Sequence, residues 1–336
     1  MSLRSATGQP ERALTQRDDS LLANVAILYY RDSLTQSEIA TRLGVSRATV
    51  VSYLRQAREQ NIVDIRIKGA SFSASTLSKE LRDAFGLDDV FIASTLPDPE
   101  ASAERQSLEI VRQVARVGAM VVYDLAQPGD VLGVAWGKTI ELLAEEMPRG
   151  AVPDLTVCQM IGSMKAPQMP AAETCAIRIA SSLGADCRTL HAPAILSRRT
   201  IADALRREPT IRAQLQQLSR LTMTLFSVGD CSPTTHQVRA GIATVAQLKW
   251  YTDRGAVAVL CGRFIDAQGR HVEGELDARM IGVTPSDLKK AKAGVLVAAG
   301  AEKIPAIKAA LTGRYARYLV VDEATGRRLL ASRRAG

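Results

Sequence analysis

Residues 35–55 read TQSEIATRLGVSRATVVSYLR. Thr35 followed three residues on by Glu38 is a capping box, which predicts a helix start. Ile39, Ala40 and Leu43 give that helix one apolar face at helical spacing. Gly44 then ends it, because the left-handed turn that closes a helix is easiest for glycine. Ser46 can cap a second helix whose inner face is Val50, Leu54 and Ala57. Two helices crossing steeply through a tight turn need a small residue where they touch, and Ala40 sits there. Val45 and Val50 close the small core, so the segment reads as a helix-turn-helix. A helix over about 18–30, with Leu21, Leu22, Val25 and Leu28 inward, is predicted to cover it.

In such a motif the second helix lies in the major groove with its first turns against base edges. The residues assigned to DNA are Thr35, Gln36, Ser46, Arg47, Ala48, Thr49, Ser52 and Arg55. Arg47 suits guanine or a phosphate, Thr49 a thymine methyl, and Ser46 or Ser52 a phosphate. Arg42, Arg55 and Arg58 suit the backbone. After Asn61, the alternation IVDIRIK predicts a short strand over 62–68, a wing beside the reading helix. GASFSAS at 69–75 reads as a domain boundary. The expected organisation is disorder over 1–16, a DNA-binding domain over 17–70 and a ligand-binding, self-associating domain over 71–332.

Composition agrees without deciding the matter. The net charge is +8, but residues 1–70 hold ten Lys/Arg against seven Asp/Glu, and residues 303–336 hold eight against two. The Arg-rich end fits a solvated tail better than a DNA contact. Five cysteines without a C-x-x-C pair and three histidines predict buried thiols and no metal site. A polar N-terminus without a secretion signal, and no membrane-length apolar run, predict a cytoplasmic protein.

From about residue 75, strand and helix patterns alternate. Short apolar runs fall at 90–93, 131–134, 155–161, 187–190, 221–228, 256–260, 294–298 and 318–321, with helical stretches between several of them. The alternation predicts an α/β fold with a mostly parallel sheet and ligands at the carboxyl ends of its strands. In DVLGVAWGKT, Gly133, Gly137, Lys138 and Thr139 lie where a strand turns into a helix, an arrangement suited to an anion. A Walker A loop is excluded, since three residues, not four, separate Gly133 from Gly137. Gly300 and Lys303 in VAAGAEKIPAIKAAL form a second such turn, and LFSVGD at 225–230 a weaker third. No nucleophile elbow, metal cluster or His–carboxylate pair stands out, and His191, His236 and His271 each stand alone. No enzyme and no cofactor are expected.

With these residues in hand, the chain resembles the SorC family of sugar-responsive bacterial transcription regulators. The likeness rests on LTQSEIATRLGVSRATVVSYLRQAREQNIV, GVAWGKTI, GAVAVLCGRFIDAQGRHV and AGAEKIPAIKAAL, in that order. It implies an effector domain similar to sugar-phosphate isomerases that binds a phosphorylated sugar or polyol without acting on it. It also implies dimers or tetramers that bind double-stranded operator DNA of a carbohydrate operon. By the resemblance, Gly137, Lys138 and Thr139 face the effector from one loop and Gly300 and Lys303 from another, with Lys303 on the phosphate. The family usually has an acidic residue where Val259 stands, which leaves open an effector that is less hydroxylated, differently oriented or not a typical sugar phosphate. So do two other readings, an isomerase or deaminase fused to a DNA-binding module and an architectural DNA binder with a degenerate pocket. A Schiff base on Lys138 or Lys165 is the remotest option.

Overall fold

The computed structural model describes residues 19–65, 68–94, 100–164, 171–233 and 235–334. The chain divides into two compact units, one up to Arg66 and one from Ile67.

In the first unit, a helix over 19–26 continues as a π-helix, Ile27–Arg31, ahead of helices Gln36–Leu43 and Arg47–Glu59. The capping box forms in both directions: Thr35 Oγ1 accepts the Glu38 amide at 3.3 Å, and the Glu38 carboxylate accepts the Thr35 amide at 2.7 Å. Gly44 takes φ 67° and closes the first helix through its amide. Ser46 Oγ then accepts the Thr49 amide at 3.0 Å and starts the second. Val25, Ile39, Ala40, Val50 and Leu54 form the core, with Leu22, Ala26 and Ala57 beside it. The wing strand expected over 62–68 differs. Residues 62–65 follow a left-handed Asn61 as irregular chain, and no described residue offers them a strand partner. Arg66 and Ile67, like residues 1–16, lie outside the described residues.

The strands of the second unit are β1 Asp89–Ala93, β2 Val131–Val134, β3 Thr156–Gln159, β4 Asp186–Arg188, β5 Met223–Phe226, β6 Ala256–Leu260, β7 Arg263–Asp266, β8 Ala293–Val297 and β9 Tyr318–Asp322. Seven form a parallel sheet in the order β1-β9-β8-β5-β2-β3-β4. Because successive side chains point to opposite faces, each strand feeds two cores. Phe91, Leu132, Val134, Val295 and Val297 pack with helices Ala103–Leu125, Lys138–Glu145 and Ala172–Leu183. Val90, Ile92, Phe226, Leu296 and Leu319 pack with helices Thr76–Phe85, Ile304–Thr312 and Glu323–Arg334. Both faces are covered, which is why the strands read as continuous apolar runs.

The run at 256–260 is the exception. β6 leaves the parallel sheet and pairs antiparallel with β7. The two residues between them, Cys261 at φ 47° and Gly262 at φ 78°, are both left-handed, the geometry that reverses a chain into a tight hairpin.

Candidate functional site

On the second helix of the first unit, Arg47, Ala48, Val51 and Arg55 are exposed, whereas Thr49 and Ser52 are half-buried. Several of the polar residues assigned to DNA are already engaged. Thr35 is held in its capping box, Ser46 caps Thr49, and Ser52 Oγ accepts a hydrogen bond from Gln56 at 3.2 Å. Gln36 Oε1 accepts the Arg47 Nε–H at 3.3 Å, so one helix steers the arginine of the next. Arg55 Nε lies 3.7 Å from Glu59. The sequence reading passed over Val51, because a valine beside inward Val50 carries no outward signal in a pattern alone.

In the second unit the sheet order turns between β2 and β5: β3 and β4 lie on one side, and β8, β9 and β1 on the other. A crevice outside the carboxyl ends of such strands is the usual ligand site of an open parallel sheet. A cleft of about 750 Å³ lies there, walled by the chain leaving β2 (Trp136 to Thr139), β5 (Ser227 to Asp230) and β8 (Glu302, Lys303). Val259, Cys261 and Gly262 of the hairpin also line it. The hairpin is fastened to the sheet by paired Gly229 and Val259 amide–carbonyl bonds, each 2.9 Å.

Gly137, at φ 116°, precedes helix Lys138–Glu145 without a side-chain cap, so the amides of its first turn are left for another acceptor. Thr139 is buried in the same wall, and Lys138 is paired to Glu141 at 2.8 Å. The Lys303 ammonium has neither a hydrogen bond nor an ion pair among the described residues. Burial lowers its pKa, partly opposed by the nearby Glu302 and Asp230 carboxylates. Ser227 Oγ and Gln237 Oε1, in the same lining, are buried without partners among the described residues.

Two assigned glycines do not line the cleft. Gly133 sits inside β2, where a Cβ would meet Met160 and Leu221 at 2.7–2.8 Å, so its smallness serves sheet packing. Gly300, at φ 108°, shapes the turn behind Lys303, its amide bonded to Thr325. Lys165 lies outside the described residues. Asp230, Gln237 and Arg239 line the cleft without having been singled out. Only the Ser-Val-Gly-Asp turn at 227–230 carried a signal for any of them.

His271 is not isolated: its Nε2 lies 2.8 Å from Asp277 Oδ1, which also accepts Arg263 Nη1 at 3.0 Å. Asp277 Oδ2 accepts the Tyr251 hydroxyl and the Gly274 amide. Burial works against this carboxylate's charge, yet His271, Gly274 and Arg263 outweigh it and hold the pKa down to about 2. The group lines a second groove, of about 960 Å³, where Arg206 pairs with Asp203 and Lys290 with Asp287. Its charges are largely spent on one another, so the candidate ligand site is the cleft with the unpaired lysine. Cys158, Cys175 and Cys261 are buried free thiols, while Cys187 and Cys231 are half-buried. No described helix is long and apolar enough to cross a membrane.

A helix-turn-helix joined to an α/β unit with a cleft at its switch point defines a ligand-responsive class of DNA-binding protein. Residues 70–331 match the family model described as "Putative sugar-binding domain", and residues 25–60 match that of sigma-70 region 4. The chain is 36% identical over 316 residues to the Escherichia coli K12 transcriptional regulator YjhU, covering 94% of this chain and 95% of that protein. It is 28% identical over 327 residues to the sorbitol operon regulator of Klebsiella pneumoniae, covering 93% and 98%. The solved full-length SorC of Klebsiella pneumoniae aligns with a TM-score of 0.68 at 26% identity, covering 94% of this chain and 99% of that one. This chain belongs to the SorC family of transcriptional regulators and carries that family's sugar-binding domain. It is a DNA-binding transcriptional regulator.

Proposed function

We propose that a small phosphorylated sugar or polyol enters the cleft and changes the protein's affinity for operator DNA of a carbohydrate or polyol operon. The observation that carries this reading is the unpartnered Lys303 ammonium in the same cleft as the uncapped first turn at Gly137, Lys138 and Thr139. A phosphate there gains a cation, a hydroxyl and backbone amides together. Gly133 and Gly300 support the site from behind. Asp230, next to the Gly229–Val259 bridge, supplies a carboxylate for sugar hydroxyls beside the position where Val259 replaces the expected acid.

The protein works in the cytoplasm as a dimer or tetramer, with residues 17–70 on DNA and 71–332 for effector binding and self-association. It performs no chemistry on the effector. The Cys261 thiol in the cleft wall is pushed up to about 12 by burial, and Lys138 is tied to Glu141, so neither is a ready nucleophile. On DNA, Arg47 and Ala48 meet base edges, Gln36 orients Arg47, Arg55 meets phosphate, and Thr35, Ser46 and Thr49 shape the helix starts and, with Ser52, approach the backbone.

The test is fluorescence anisotropy on DNA from upstream of the protein's own gene, with sugar and polyol phosphates and their unphosphorylated parents. One phosphate should shift the binding curve more than its parent does. Reciprocity then requires operator DNA to change that compound's calorimetric affinity by the same factor. Tight DNA binding indifferent to every compound refutes the effector reading. Turnover of an aldose or ketose phosphate establishes the enzyme instead.

A further inference from the structure

We propose that Val51 reads the C5-methyl group of a thymine and so sets an A·T preference at one position of the operator. The inference rests on the reading helix being Arg47–Glu59, and it concerns a residue that reading did not use.

Val51 is 46% exposed in the second turn of that helix, while its neighbour Val50 is fully buried and Leu54 nearly so. Neither packing nor local preference accounts for a valine there. It joins none of the described core clusters of its unit. Its β-branch lowers helix propensity relative to the polar residues that usually fill an exposed position. Its surroundings say what it faces. Arg47 stands one turn before it and Arg55 one turn after, both exposed, and Ala48 is exposed beside them. An apolar group set between two arginines on a water-facing helix is matched to a surface that is anionic at its rims and apolar at one point. The major groove is such a surface: phosphates line its edges, and the thymine methyl is the apolar group on its floor. Thr49, the sequence-based choice for that methyl, is less exposed than Val51. Thr49 is half-buried, and its hydroxyl lies 2.8 Å from Ser46 Oγ.

Four residues along a helix advance about 6 Å, or roughly two base-pair steps. The thymine should therefore lie about two base pairs from the base Arg47 contacts. Burying one methyl group is worth a weakening of roughly threefold to fivefold when it is lost.

The experiment uses the full-length protein and a duplex selected by it from a random-sequence pool. Each thymine is replaced in turn by deoxyuridine, which removes only the methyl, and anisotropy is read at fixed salt. At one or more positions, the wild type should lose roughly threefold to fivefold in affinity. Val51→Ala should bind the thymine duplex more weakly by a similar factor and show no further loss on deoxyuridine. Val51→Thr, which keeps one methyl, should retain most of the discrimination. Indifference of the wild type to every deoxyuridine overturns the proposal, as does a deoxyuridine penalty that persists in Val51→Ala. Arg47→Ala separates the two levels: unchanged affinity in that variant overturns the reading helix itself. Weakened affinity with a penalty independent of residue 51 overturns only the role of Val51.

Discussion

Asp277→Asn removes a single negative charge from the centre of the network that holds the β6–β7 hairpin. The carboxylate serves four donors, two on each oxygen: Arg263 Nη1 and His271 Nε2 on Oδ1, the Tyr251 hydroxyl and the Gly274 amide on Oδ2. An amide keeps one acceptor oxygen and turns an NH₂ group toward the other two donors. It also leaves Arg263, whose side chain is only 7% exposed, without a counter-charge. Losing one partner of a buried pair costs about 3–5 kcal/mol. The pH dependence supplies an independent measure. The folded pKa of about 2, against an ordinary value of 3.8, is worth about 2 kcal/mol of stability. Because the folded value is depressed, that contribution is complete above the unfolded pKa and disappears as pH falls through the folded one. About half of it remains at pH 3. Urea unfolding followed by the fluorescence of Trp136 and Trp250 gives the assay. The wild-type advantage should be about 3–5 kcal/mol at pH 7 and about 1 kcal/mol smaller at pH 3. A variant within 1 kcal/mol of wild type at pH 7, or a gap that stays constant with pH, refutes the reasoning, since the charge would then not be what holds the hairpin.

Lys303→Met should weaken the response to the effector at least tenfold, a lost charge-assisted bond being worth about 1.5–3 kcal/mol. DNA affinity without effector should be unchanged, and the same anisotropy titration reads both. Gly137→Ala has open space for its methyl but must hold φ 116°, so it should reduce effector affinity while the sheet stays folded by circular dichroism. Ser46→Ala removes the cap on the reading helix and should destabilise the first unit by about 1 kcal/mol. Faster amide exchange at Ala48 and Thr49, with weaker DNA binding at every sequence, is the expected signature.

The helix-turn-helix was legible almost residue by residue, because its determinants are local. A capping box, a left-handed glycine and an apolar stripe each act within one turn of chain, and Thr35, Gly44 and Ser46 do what their positions imply. The parallel sheet was legible as an alternation, since strands covered on both faces must be apolar throughout. What escaped was set by long-range geometry. β6 has the same apolar content as a central strand, and only the left-handed pair Cys261–Gly262 sends it into a hairpin. His271 and Asp277 lie six residues apart, yet their pairing depends on how that hairpin folds back. Gly133 looked like part of an anion loop because strand glycines and loop glycines are written alike. The difference is the Met160 side chain from a neighbouring strand's end. The missed wall residues Gln237 and Arg239 come from a short helix whose place no periodicity announces.

The walls of the cleft are not equally supported. The segments leaving β2, β5 and β8 are continuous with strands hydrogen-bonded on both sides in the parallel ladder, and their positions are set by many backbone bonds at once. The hairpin wall, with Val259 and Cys261, joins that sheet through the Gly229–Val259 bridge and is held from behind by the side chains gathered on Asp277. A ligand can shift an equilibrium only through contacts that differ between two arrangements of the protein. Walls inside the ladder offer a ligand affinity, while a wall outside it, held by side-chain packing and a single bridge, also offers a difference. On the proposed placement, the sugar end of an effector lies against Val259 on the wall of the second kind, and its phosphate meets walls of the first. On that proposal, phosphate recognition would give binding, and the hydroxyl pattern would decide whether binding changes the protein.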